Sequence, residues 1–170
     1  MQQRDYQQEI NQFESHYSYD STYMRELLTS SPVGYEKFDA FMPLVAHREH
    51  LTKDVFWVAR LSVMQFEDCG HCLQLNVRMA LEDGVEAAIV RAAIQGGKSL
   101  PDHLRSVHAY ARQVANNQIE PTLFEQMSER FNQAQRLELG LCIATTRVFP
   151  TIKRTLGYTK ACQLINIEVA

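Results

Sequence analysis

The chain has 170 residues, 45% hydrophobic and 22% charged, the balance of a soluble domain with enough apolar mass to bury a core. A net charge of −3 argues against a phosphate-backbone or anionic-membrane partner, and the most apolar run, "DVFWVARLSVMQF", is too short to span a bilayer and is broken by Arg60. The polar opening Met1-Gln2-Gln3-Arg4 lacks the apolar run of a secretion signal, so a cytoplasmic chain is expected, a setting where four cysteines do not imply a disulfide scaffold.

Seven glycines and five prolines punctuate a chain whose apolar spacing is mostly three and four, which predicts an all-α fold. Residues 1–20 read as a polar N-terminal helix or arm, with a weak helix over 3–16, and 21–170 as a single helical domain. A helix is expected over about 21–30, capped by Ser21 or Thr22. Another covers about 34–47, with Tyr35, Phe38, Phe41 and Met42 on one face and Pro43 bending or shortening it. Thr52 reads as the N-cap of a helix over 53–67 that is apolar nearly all round and therefore central. "EDCG" interrupts it, with Asp68 as the expected N-cap of a new helix from about 69 to 82. Asp83-Gly84 makes a turn, and Gly96-Gly97 stop the small-residue helix "VEAAIVRAAI". Further helices are expected from Asp102 to about Asn116 and from Pro121, the latter continuing with a break to Pro150. A last helical turn or two carries "TIKRTLGY". "CQLINIEV" reads as a short strand or a fraying tail.

The chemistry concentrates in "EDCGHCLQLN". Only a thiolate attacks or binds metal, and a helix N-terminus, a cation or a second thiol lowers the thiol pKa. Spacing of three puts Cys69 and Cys72 on one face of a first helical turn, close enough to interconvert between dithiol and disulfide. Proximity to the helix N-terminus alone would make Cys69 the more acidic. Two other readings stay open: half of a zinc site, without a second C-x-x-C or an H-x-x-x-H to complete it, and two inert core cysteines. Covalent haem is excluded because Leu73, not histidine, follows Cys72. No metal, flavin or nucleotide cofactor is expected.

A long apolar helix leading into a C-x-x-C helix, then a helix opened by a glycine, resembles the carboxymuconolactone decarboxylase / alkylhydroperoxidase D-like family. "MRELLTSSP" resembles the segment ahead of that family's core, and "DVFWVARLSVMQFEDCGHCLQLNVRMALEDGV" the core itself. "LRSVHAYARQVANNQI" and "RFNQAQRLELGLCIATTRVFPTIKRTLGY" are similar to the last helices of its longer members, so the resemblance covers residues 22–160. It implies an alkylhydroperoxidase D-like helical bundle with the C-x-x-C at the start of a core helix. It also implies a thiol-dependent peroxide reductase or related disulfide oxidoreductase in which Cys72 attacks and Cys69 resolves. The implied partners are a small hydroperoxide or a thiol/disulfide substrate and a redox adaptor protein, with no nucleic acid and no membrane. A homo-oligomer, trimer or hexamer, is implied as well.

His71 matches the family's histidine before the second cysteine. Asn76 stands where the family has a second histidine, and the family's relay glutamate falls at Trp57, with no acid within two positions of it. Losing a general base costs about 10²–10⁴ in rate, and an amide cannot take up a proton. Glu67 is the candidate substitute base, against an ordinary residue at a helix end. Arg60, a lone charge in an apolar segment, is expected to face a carboxylate, with a helix-bridging ion pair to Glu67 as the structural option, or a wet pocket beside Cys72. The alternative to an enzyme is a non-catalytic helical oligomer that binds a small ligand or a protein and keeps its cysteines as a vestige or redox sensor.

Elsewhere, Arg105, His108 and Arg112 fall on one helix face and line either an anion pocket or solvent. Gln133, Gln135, Arg136 and Glu138 form either a polar seam between subunits or an exposed helix side, Cys142 reads as core, and Cys162 has no visible partner.

Overall fold

A computed structural model describes residues 4–67, 69–158 and 167–169, and these are built from helices with no strand among them. The all-α expectation is met. The expected cap Asp68, the residue Cys162 and most of "CQLINIEV" lie outside the described residues. Two compact units make up the chain, Met1–Pro43 and Leu44–Ala170, a division later than the 20/21 boundary suggested by the sequence.

In the first unit, α1 (Tyr6–Tyr17) starts where the Asp5 carboxylate accepts the Gln8 N–H at 3.0 Å. It lies against α2 (Thr22–Ser30), and the Arg25 guanidinium bonds the Glu14 carboxylate between them. Tyr23 meets Phe38 of α3 (Pro32–Val45) edge-on at 6.5 Å, and Tyr35 meets Tyr6 at 5.1 Å. Pro43 sits inside the last turn of α3 without ending it.

The second unit is organised around α4 (Lys53–Phe66). Thr52 caps it, its hydroxyl accepting the Val55 N–H, and every residue from Val55 to Met64 is buried. Four helices surround it: α5 (Gly70–Glu82), α6 (Ala87–Ile94), α7 (Asp102–Ala115) and α9 (Gln133–Thr146). Only a helix apolar on all sides can sit at such a centre, which is the pattern its sequence carries. α8 (Pro121–Arg130) packs on α7, and α10 (Val148–Thr155) packs on α9. Gly84, at φ +79°, makes the expected turn after α5, where Trp57 Nε1 and Arg48 both donate to Asp83.

Glu138 is no seam residue and lies on no exposed side. It is 2% exposed and takes the backbone N–H groups of Glu49, His50 and Leu51 at 3.0, 2.8 and 3.0 Å. Burial alone would raise its pKa, but these three donors outweigh it and hold the carboxyl below its ordinary value. One ionised carboxylate thus fastens the loop that leads into α4.

Candidate functional site

The turn from α4 to α5 sets up the site. Glu67 closes α4 in a right-handed helical conformation, its N–H still bonded to Val63 O. Cys69 then takes the N-cap position of α5, and Cys72 sits in the helix's first turn. A capping side chain folds back over its own first turn, so a cysteine there meets the side chain three residues on. The two sulfurs lie 2.7 Å apart as free thiols, each residue about 1% exposed. Sequence spacing and structure agree on this juxtaposition.

They disagree on acidity. Although Cys69 is nearest the helix N-terminus, its thiol is pushed well above the ordinary range, first by donating its hydrogen to Cys72 Sγ, then by burial and by the charge of Cys72. The Cys72 N–H and the Lys153 ammonium pull it back only in part. Hydrogen bonding and desolvation override the dipole at Cys69.

Asn76 lies one turn beyond Cys72 on the same stripe and donates from Nδ2 to Cys72 O at 2.7 Å. Its Oδ1 accepts from Arg60 Nε at 2.5 Å, and Arg60 Nη1 donates to Val45 O at 2.9 Å. The guanidinium, 6% exposed, also stands over the faces of Trp57 and Phe56 at 5.6 and 5.8 Å. Of the two settings expected for Arg60, the carboxylate is not found: none among the described residues pairs with it. Backbone carbonyl, amide and ring faces solvate the charge, at the cost of a pKa lowered by burial.

Glu67 is bound elsewhere. Arg147 Nε reaches its Oε1 at 2.6 Å, Arg154 Nη2 reaches its Oε2 at 2.5 Å, and Arg154 Nη1 takes its carbonyl at 3.1 Å. Burial works to raise the Glu67 pKa, yet the two guanidiniums win and lower it. A carboxylate held ionised between two arginines is a poor proton acceptor and a good tether, here joining the α4–α5 turn to α10. His71 is half-buried in the first turn of α5, and its side chain makes no hydrogen bond among the described residues.

Sequence reasoning missed Lys153, 2% exposed on α10, whose charge reaches Cys69. The only local signal was a lysine at a position that α10's apolar side buries. Cys142, as expected, is core: it donates to Phe56 O at 3.5 Å, and burial pushes its thiol up to about 12. No group of three or more His, Cys, Asp or Glu positioned to hold a metal occurs among the described residues. Among the described residues, no helix is long and apolar enough to cross a membrane.

The arrangement has parts for two-electron thiol chemistry: two sulfurs in contact, one of them held protonated, with the Lys153 charge reaching the pair. No family model matches this chain, and neither a curated protein nor a solved structure matches it significantly.

Proposed function

We propose that the chain is a thiol-dependent peroxide reductase or a related disulfide oxidoreductase on an alkylhydroperoxidase D-like bundle, working through Cys69 and Cys72. The observation that carries this reading is the buried pair of free thiols 2.7 Å apart, with Cys69 donating to Cys72. Cys72, as thiolate, attacks the terminal oxygen of a hydroperoxide. The O–O bond breaks, the alkoxide leaves and takes a proton from solvent, and Cys72 becomes a sulfenic acid. Cys69 then attacks the Cys72 sulfur, its proton leaves with the hydroxide as water, and a disulfide forms. An external dithiol, free or on a redox adaptor protein, returns the two electrons.

Base catalysis by a histidine–glutamate relay has no counterpart here. Fixed charge takes its place: Lys153 beside Cys69, and Arg60 acting through Asn76 on the carbonyl of Cys72. Asn76 is thus a positioning residue and Arg60 its electrostatic anchor. Glu67 positions α10 through Arg147 and Arg154 rather than moving protons.

One observation favours a second reading. Both sulfurs are nearly sealed, and the Cys69 thiol is hard to ionise, which suits a slow redox sensor better than a fast enzyme.

The test is steady-state consumption of an organic hydroperoxide with a dithiol donor. Cys72→Ser should remove turnover altogether, whereas Cys69→Ser should retain a single reduction of hydroperoxide and stop at a trappable sulfenic acid. Equal, undiminished consumption by both variants would sink the proposal.

A further inference from the structure

A second cluster of polar groups lies on α7, apart from the cysteine chemistry. Arg105, His108 and Arg112 share a helix face in sequence, but the structure separates them. Arg105 is exposed and donates to Leu100 O and Asp102. His108 is 5% exposed, and Arg112 is half-buried one turn further on. His108 and Arg112 line a cleft of about 710 Å³ together with Gln65, Gln95, Gly96 and Gln113.

The protonation of His108 follows from its partners. Nε2 lies 3.1 Å from the carbonyl of Ala93, which only accepts, so Nε2 carries the hydrogen. Burial, and next the charge of Arg112, hold the imidazole below its ordinary pKa despite that bond. The ring is therefore neutral and Nδ1 presents a lone pair. Nδ1 makes no hydrogen bond among the described residues, where no sealed side-chain nitrogen or oxygen lacks one, so Nδ1 is reached by solvent on a residue that lines the cleft. Gly97 keeps the approach clear: at φ +78°, a Cβ there would stand 2.7 Å from Nδ1.

Arg112 has an open charge to match. Among the described residues its guanidinium makes one hydrogen bond, at 3.3 Å to the neutral Oε1 of Gln65, whose Nε2 is already committed to Ile94 O. No carboxylate among the described residues pairs with it. The cleft thus sets an unfilled acceptor beside an unneutralised cation, with the carboxamides of Gln95 and Gln113 at its edges.

We propose that this cleft binds a small carboxylate that carries a hydroxyl or ammonium group on the neighbouring carbon, the carboxylate on Arg112 and the donor on His108 Nδ1. A plain carboxylate satisfies the arginine alone, and an alcohol the histidine alone. A 2-hydroxy or 2-amino acid carries both groups in one small molecule. The site does not depend on the cysteine pair.

The full chain, labelled with ¹⁵N, is titrated with L-lactate, L-serine and propionate while the imidazole nitrogens are followed by NMR. Lactate or serine should move the His108 Nδ1 resonance saturably from the free-acceptor position, with half-saturation in the range of about 1–10 mM. Propionate, which lacks the donor, should bind about tenfold more weakly and leave Nδ1 in place. Arg112→Met, shown by circular dichroism to fold, should lose the response. The proposal is overturned if Nδ1 stays put with both lactate and serine, or if propionate moves it equally.

Discussion

Glu138 shows how much a single residue carries. Its carboxylate holds three backbone N–H groups of the loop into α4, and removing it leaves three donors in a buried place. Hydrogen bonds to charged groups contribute about 1.5–3 kcal/mol each, and such contributions do not add fully, so Glu138→Ala should destabilise the fold by at least ~3 kcal/mol in urea denaturation. The pH dependence follows from the sign of the shift. Glu138 and Glu67 both have folded pKa values below their unfolded ones, so their stabilisation is present above the unfolded carboxylate value of about 4.3 and is lost as pH falls through the lower folded values. Melting temperature should therefore drop below about pH 4.3, and Glu138→Gln should be less stable at neutral pH with a shallower acid limb. Neither pairing was legible in the sequence. "LELGLCIA" shows a charge in an apolar run, but the loop that it fastens lies 87–89 residues away. Arg60 was half legible for a related reason: an expensive charge must be solvated, yet only the fold supplies Asn76, Val45 O and two ring faces where a carboxylate or a wet pocket was expected.

Elements were far more legible, because caps and periodicity act over a few residues. Thr52 opens α4, Gly84 turns the chain after α5, and Pro121 starts α8, all as the sequence predicts. Prolines misled where position within the helix mattered. Pro150 was read as an end, but it lies in the first turn of α10, where its missing N–H costs nothing. Pro43 likewise interrupts little, two residues before the end of its helix. Two local devices invite measurement. Asn132 and Gln135 form a reciprocal cap on α9, so Asn132→Ala should cost about 1 kcal/mol. Gly97→Ala forces a left-handed conformation and meets His108, so a loss of about 2 kcal/mol is expected by thermal or urea denaturation. An unchanged Gly97→Ala protein would mean that the His108 ring yields.

At the scale of the whole molecule, the dithiol, its cations and the α7 cleft all belong to the unit Leu44–Ala170, arranged around one buried helix. The C-x-x-C pair was legible because helix geometry alone brings residues three apart together. Lys153 and the arginines on Glu67 were not, because α10 returns to the cysteines only through tertiary packing. The central claim is that Cys69 and Cys72 act as one redox unit. Its most direct measurement is peptide mapping by mass spectrometry after the reduced chain meets one equivalent of hydroperoxide. The account predicts a single internal Cys69–Cys72 disulfide, with loss of two hydrogens, that is absent from Cys72→Ser. Unmodified thiols, or a disulfide formed through Cys142 or Cys162 instead, would contradict it.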